Sequence, residues 1–133
     1  MKYVWRYNRI RQIVISILVT IVFSMIVFGL SLAPITHGIV GIVYIDKVYH
    51  FVSFFCLAFP ITLIRPRLIV WVFLGAITFG GLIELAQDLF GRQASWTDFI
   101  SNGIGAIVGG GVAHFLGKRL IASSKLTIKN TKS

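Results

Sequence analysis

The chain consists of long apolar segments separated by short polar ones. Four apolar stretches each approach the roughly 20 residues that a helix needs to cross a bilayer. They run from Ile13 to Ala33, from Val48 to Ile64, from Leu68 to Phe90 and from Phe99 to Leu116. The pattern predicts an all-α polytopic membrane protein, a bundle of four transmembrane helices over residues 13–117. A basic N-terminus at 1–12 and a basic tail at 118–133 flank this domain.

Composition indicates that lipid is the surrounding solvent. Apolar residues make up 56% of the 133 positions, and charged residues only 13%. A soluble domain of this length has too much surface to hide so much hydrocarbon. A water-soluble enzyme is therefore excluded. The single cysteine, Cys56, also excludes an internal disulfide framework.

The distribution of basic residues predicts the orientation of the four spans. Eleven of the 13 Lys and Arg residues lie in the segments 2–11, 65–67 and 118–132, which share one side of the membrane in a four-span topology. Only Lys47 and Arg92 lie on the other side. The positive-inside rule then places both termini in the cytoplasm, with the spans in the inner (cytoplasmic) membrane. The net charge of +9 belongs to these flanks, so membrane lipid and not nucleic acid is the expected partner.

Polar residues interrupt three of the spans close to the same membrane face. Ionisable groups inside a bilayer are costly, so each is expected to have a partner, water or a function. Three pairs spaced i,i+4 lie on helical faces, and counting about 1.5 Å per residue puts them at similar depth. We define the polar cluster as Asp46, Lys47, His50, Glu84, Gln87, Arg92, Asp98 and Asn102.

Small residues on the predicted spans suggest how these side chains meet. Gly80 precedes Glu84 by one turn, and Gly105 and Gly109 follow Asn102 on the fourth span. Small residues at this spacing let helix backbones approach closely in lipid. We therefore expect helix packing at these glycines to aim Glu84 at Asn102 and His50. Asp98 or the neighbouring Thr97 is also a candidate N-cap of the fourth helix.

The cluster contains residue types that suit acid–base chemistry. His50, Glu84 and Asp98 are the candidate catalytic residues, because a site of low dielectric can tune such groups. Ser53 and Ser95 are the available hydroxyl nucleophiles, and neither lies in a recognised motif. Asp46, His50, Glu84 and Asp98 could in principle hold a divalent ion, but no HExxH-like pattern is present. We therefore predict no metal and no other cofactor.

The arrangement of these residues resembles the VanZ-like family of small bacterial membrane proteins, named for a teicoplanin-resistance accessory protein. The similar segments are Asp46-Lys47-x-x-His50-Phe51, Glu84-x-x-Gln87-x-x-x-x-Arg92 and Asp98-x-x-x-Asn102-x-x-Gly105. The resemblance covers about residues 46–110. It implies four transmembrane helices and, for some members, reduced susceptibility to lipoglycopeptide antibiotics. It does not imply one agreed biochemical activity.

Three functional hypotheses follow from the sequence. The first is a membrane protein that binds an amphiphile at the outer leaflet, such as a lipoglycopeptide or a lipid-linked cell-envelope precursor. The alternative is an intramembrane acid–base enzyme acting on a lipid-linked substrate. A transporter or channel is the third, and it would need an oligomer, because four spans without an inverted repeat do not enclose a path. Under each of them, the polar cluster could also serve only to hold the helices together.

Overall fold

Four long helices form the described part of the protein. A computed structural model describes residues 2–32, 42–91 and 93–130, with side chains for 10–32, 45–91 and 93–124. The helices are α1 (Lys2–Ser31), α2 (Ile42–Ile64), α3 (Ile69–Leu89) and α4 (Trp96–Asn130), and a 3-10 turn, Pro66–Leu68, precedes α3. Each helix contains a stretch long and apolar enough to span a membrane. The predicted all-α fold with four candidate spans is confirmed.

The helices are longer than the apolar stretches that predicted them. Helix α1 begins at Lys2, well before Ile13, and α4 continues to Asn130, well past Leu116. The backbone hydrogen bonds of a helix can continue beyond the apolar segment that spans the membrane. Lys and Arg are good helix formers, and the segment 118–130 contains neither Gly nor Pro to end the helix. Apolar patterning therefore located the spans but not the helix ends.

The α2 and α4 helices pack side by side in parallel. A Cβ atom at Gly105 would collide with the carbonyl oxygen of Phe51, and one at Gly109 with that of Phe55. One further contact, between Gly117 and the carbonyl oxygen of Leu63, continues the same register. The residue numbers of the contacting positions thus increase together in α2 and α4, which means that the two helices are parallel. Backbones this close require residues without side chains, as expected for helix packing in lipid.

The parallel register fixes which helix ends meet. Helices α2 and α4 begin at the same end of the bundle, which we call the cluster end. Gln87, near the end of α3, donates a hydrogen bond of 2.9 Å from Nε2 to the carbonyl oxygen of Ser31, at the end of α1. Glu84, also near the end of α3, accepts a hydrogen bond from the backbone N–H of Ser95, just before α4. Helices α1 and α3 therefore finish at the cluster end, and the four helices alternate in direction.

Large apolar side chains cover the outside of the described bundle, while several polar ones lie within it. Leu18, Val22 and Met25 on α1 are more than half exposed, as are Leu82 and Leu85 on α3. The buried polar side chains are Ser16, Ser31, His50, Ser53, Thr62, Glu84, Gln87, Asp98 and Asn102. This distribution is the reverse of that in a soluble protein and suits a lipid solvent. The chain is a multi-pass membrane protein.

Candidate functional site

A buried hydrogen bond between α2 and α4 forms the centre of the polar cluster. His50 Nδ1 lies 3.0 Å from Asn102 Oδ1, and both residues are 1% exposed. An amide oxygen only accepts hydrogen bonds, so Nδ1 carries the proton and donates it. The second ring nitrogen, Nε2, lies 3.9 Å from the Asp46 carboxylate, which is beyond hydrogen-bonding distance. The Asn102 contact therefore fixes the orientation of the imidazole ring.

An ion pair closes the cluster at its rim. Lys47 Nζ donates to Thr97 Oγ1 at 2.7 Å and lies 3.3 Å from Asp98 Oδ1. The lysine is about one-third exposed, whereas the aspartate is buried. Its carboxylate lies in the first turn of α4, where the helix dipole favours negative charge. The rim thus pairs the two helix starts through opposite charges.

The candidate caps of the fourth helix are not caps. Helix α4 begins at Trp96, so Thr97 and Asp98 lie inside its first turn. The carbonyl oxygen of Ser95 accepts the first backbone hydrogen bonds, from the N–H groups of Asp98 and Phe99. Sequence reasoning placed the start at Phe99 because it followed the apolar stretch. The side chains of Thr97 and Asp98 are instead free to bind Lys47.

Glu84 lies on α3 and is 7% exposed. Its Oε2 accepts a hydrogen bond of 2.8 Å from the backbone N–H of Ser95. The chain can return to α3 at this point because Gly91 adopts a positive φ of 78°, which few other residues tolerate. The carboxylate also lies close enough to interact electrostatically with His50, Asp98 and Asp46. Glu84 therefore belongs to the cluster, although its hydrogen bond is to the loop and not to His50 or Asn102.

Two buried polar atoms of the cluster have no hydrogen-bond partner among the described residues. One is an acceptor, Oε1 of Glu84, and the other is a donor, Nδ2 of Asn102. The amide fits beside α3 because Gly80 has no side chain, and a Cβ there would lie 3.3 Å from Nδ2. Gly80 lies one turn from Glu84, about 6 Å along the helix axis. The cluster thus offers one acceptor and one donor at neighbouring depths.

Two residues that the sequence placed in the polar cluster, Gln87 and Arg92, remain to be located. Gln87 is 1% exposed and binds the Ser31 carbonyl, which is one of the four that an α-helix leaves unpaired at its end. This hydrogen bond ties the end of α3 to the end of α1. Arg92 lies outside the described residues. The nearby Asp88 is exposed at the end of α3.

Two residues of the site were not identified as members from the sequence, Ser95 and Thr97. Ser95 contributes its backbone N–H, which no side-chain pattern could reveal. Thr97 binds Lys47, and a Thr next to Asp98 was a usable signal. The Ser95 hydroxyl lies 2.8 Å from the Thr97 hydroxyl, so its hydrogen bond is within the loop region and not to His50. Ser53, the other hydroxyl candidate, is buried on α2.

Three side chains of the cluster come close enough to share an ion. Asp46, His50 and Asp98 each offer one ligand atom, and these atoms lie within 4.8 Å of one another. The sequence predicted no metal because it lacks a familiar metal motif. The three residues are among the four that the sequence offered as conceivable ligands. They meet because α2 and α4 are parallel and their beginnings lie side by side.

An apolar cleft opens between α1, α2 and α3. Its cavity volume is about 380 Å³, and its walls include Leu57, Trp71 and Phe79. The hydroxyls of Thr20 and Ser24 also line it, but they donate to carbonyl oxygens of their own helix. The cleft therefore presents hydrocarbon. Phe79 lies five residues before Glu84, so the cleft begins about 8 Å from the cluster along α3.

The chain was compared with protein-family models, curated proteins and solved structures. No protein-family model, no curated protein and no solved structure matches the chain.

Proposed function

We propose that this protein binds an amphiphile of the bacterial cell envelope, with the polar headgroup at the cluster and the tail beside the bundle. The carrying observation is a pair of buried atoms, Glu84 Oε1 and Asn102 Nδ2, that have no hydrogen-bond partner among the described residues. An unpartnered polar atom in a low-dielectric site costs free energy, about 1–3 kcal/mol, which a bound group can recover. A hydroxyl or amide of a headgroup both donates and accepts, so it complements such a pair.

The charge distribution supports an outward-facing cluster. The basic segments 2–11, 65–67 and 118–130 belong to the end of the bundle opposite the cluster. The positive-inside rule assigns that end, with both termini, to the cytoplasm of a bacterial inner membrane. The headgroup would then be bound in the outer leaflet. Lipid-linked envelope precursors and lipoglycopeptide antibiotics both act there.

The apolar cleft supports a ligand with a hydrocarbon tail. Glu84 and Asn102 lie toward the cluster end of the bundle, and the cleft starts about one and a half turns before Glu84 on α3. One molecule could place a headgroup at the first and a chain along the second. Sugar hydroxyls are the headgroup chemistry that best fits a carboxylate acceptor beside an amide donor.

The resemblance to VanZ-like proteins supports a lipoglycopeptide phenotype. Most of the residues that carry the resemblance lie at the cluster, among them Asp46, His50, Glu84, Asp98 and Asn102. We therefore propose that expression of this protein lowers susceptibility to teicoplanin-type drugs. The lipid tail distinguishes these drugs from vancomycin, so the two drugs separate binding of the amphiphile from a general envelope effect.

The test measures antibiotic susceptibility in bacteria that express each variant at matched abundance. We expect the wild-type chain to protect against teicoplanin and not against vancomycin, and Glu84→Gln to lose most of that protection. Asp88→Asn is the matched control, because it alters an exposed carboxylate one turn away on the same helix. Equal protection against both drugs, or protection that survives Glu84→Gln, would contradict the proposal.

A catalytic role would give a different result. An acid–base enzyme should convert a purified lipid-linked precursor, and Glu84→Gln should abolish the conversion. Turnover with that dependence would replace binding with catalysis as the function.

A further inference from the structure

We propose that Asp46, His50 and Asp98 bind a divalent transition-metal ion, with Zn²⁺ as the representative. The three residues come from the first three turns of α2 and the first turn of α4, and their ligand atoms lie within 4.8 Å of one another. The inference goes beyond amphiphile binding, because different atoms carry it. Ion binding at this point does not require that any headgroup binds.

The geometry needs only small side-chain movements. Zinc–ligand bonds of about 2.0–2.2 Å in a tetrahedral site place two ligand atoms about 3.3–3.6 Å apart. The separations in the structure are at most 4.8 Å, and the one between His50 Nε2 and the Asp46 carboxylate is 3.9 Å. His50 and Asp98 are buried on packed helices, whereas Asp46 is partly exposed. Closure by at most about 1.5 Å would bring the three atoms to zinc-binding separations.

The hydrogen bond of His50 prepares its ring as a metal ligand. Nδ1–H donates to Asn102, so a neutral ring presents the lone pair of Nε2 toward Asp46. Nε2 and the carboxylate oxygen are 3.9 Å apart, close to the separation of two ligand atoms on one tetrahedral zinc ion. Metal-bound histidines commonly donate their other ring N–H to an oxygen in this way. Asn102 is thus the positioning residue of the proposed site.

The donor set selects the class of ion. Imidazole nitrogen with carboxylate oxygens suits Zn²⁺ or Mn²⁺, whereas Mg²⁺ and Ca²⁺ prefer oxygen ligands alone. We therefore expect Zn²⁺ to bind at least about tenfold more tightly than Mg²⁺ at this site.

The experiment titrates Zn²⁺ into the full-length protein, purified without a histidine tag and stripped with a chelator. Isothermal calorimetry should show about one ion bound per chain. Asp46→Asn and His50→Gln should each weaken binding at least about tenfold. Asp88→Asn and His114→Gln are the matched controls: Asp88 is exposed, and His114 lies on α4 at the opposite end, where its Nδ1 binds the Pro66 carbonyl.

Each outcome decides the matter. No saturable Zn²⁺ binding, or equal loss in the control variants, would overturn the inference. If His50→Gln does not fold, judged by size-exclusion chromatography and helicity, Asp46→Asn decides alone, because Asp46 lies at the rim. Zinc binding without an antibiotic phenotype would contradict only the proposed function. A phenotype without zinc binding would contradict only the metal site.

Discussion

Helix α1 and the α2–α4 pair differ in hydrophobicity and in how much of each helix is buried inside the protein. The span of α1 is the most hydrophobic of the four, yet only 11% of its most apolar window is buried inside the protein. The spans of α2 and α4 are the least hydrophobic, and 33% of each window is buried. Hydroxyls on α1 donate to their own helix, whereas polar groups on α2 and α4 bind across the helix interface.

The contrast shows what drives burial when the solvent is lipid. Moving a leucine from lipid tails to a protein interior gains little, so hydrophobicity alone does not select the buried helix. Close backbone contact and polar pairing do select it, and both are concentrated on α2 and α4. The least lipid-like pair of helices is therefore the structural and chemical centre, and α1 is peripheral.

The largest effect is expected from adding a methyl group to the α2–α4 interface. Gly109→Ala would push a Cβ into the Phe55 carbonyl, and overpacking of this kind costs about 1–3 kcal/mol. Reversible unfolding in detergent, followed by helicity, measures the loss of stability. Gly111→Ala is the control, because a Cβ there meets nothing within 4 Å. The free energy of unfolding of Gly111→Ala should equal or exceed that of wild type. An equal loss of stability in the two variants would contradict the assignment of close packing to the α2–α4 interface.

A smaller effect is expected from the central hydrogen bond. Asn102→Leu keeps the side-chain volume but removes the oxygen that binds His50, and interhelical hydrogen bonds in membranes contribute about 0.6–2 kcal/mol. On α1, Thr20→Val removes a hydroxyl that binds only the Ser16 carbonyl. That change should stay within about 0.5 kcal/mol of wild type. A larger loss from Thr20→Val than from Asn102→Leu, in the same unfolding assay, would reverse the assigned roles.

The smallest effect is expected at the rim. Lys47→Met breaks the ion pair with Asp98, and a partly exposed pair contributes about 0–1 kcal/mol. Salt screens such pairs, so the difference from wild type should shrink as NaCl concentration rises. The control is Lys118→Met, an exposed change at the opposite end, which should show no such dependence. A salt-independent difference would mean that Lys47 stabilises the protein through packing and not through charge.

The sequence predicted the four spans and the depth of the polar residues, because charge inside a bilayer is rare enough to be informative. It also predicted close packing at Gly105 and Gly109, but not which helix meets them. Those glycines contact the backbone of α2, whereas the sequence expected the packing to aim Glu84 of α3 at the fourth span. The Ser95 N–H that binds Glu84 and the Ser31 carbonyl that binds Gln87 are backbone groups, which side-chain patterns do not reveal.

The most direct test of the account is equilibrium binding of amphiphiles to the protein in lipid nanodiscs. Teicoplanin and a lipid-linked envelope precursor are each titrated against wild type, Glu84→Gln and Gly111→Ala, with empty nanodiscs to measure partition into lipid. The account predicts that at least one of them binds wild type and Gly111→Ala above that background, and binds Glu84→Gln at least about tenfold more weakly, since a hydrogen bond to a charged group contributes about 1.5–3 kcal/mol. Binding no stronger than to empty nanodiscs, or equal binding to all three proteins, would contradict it.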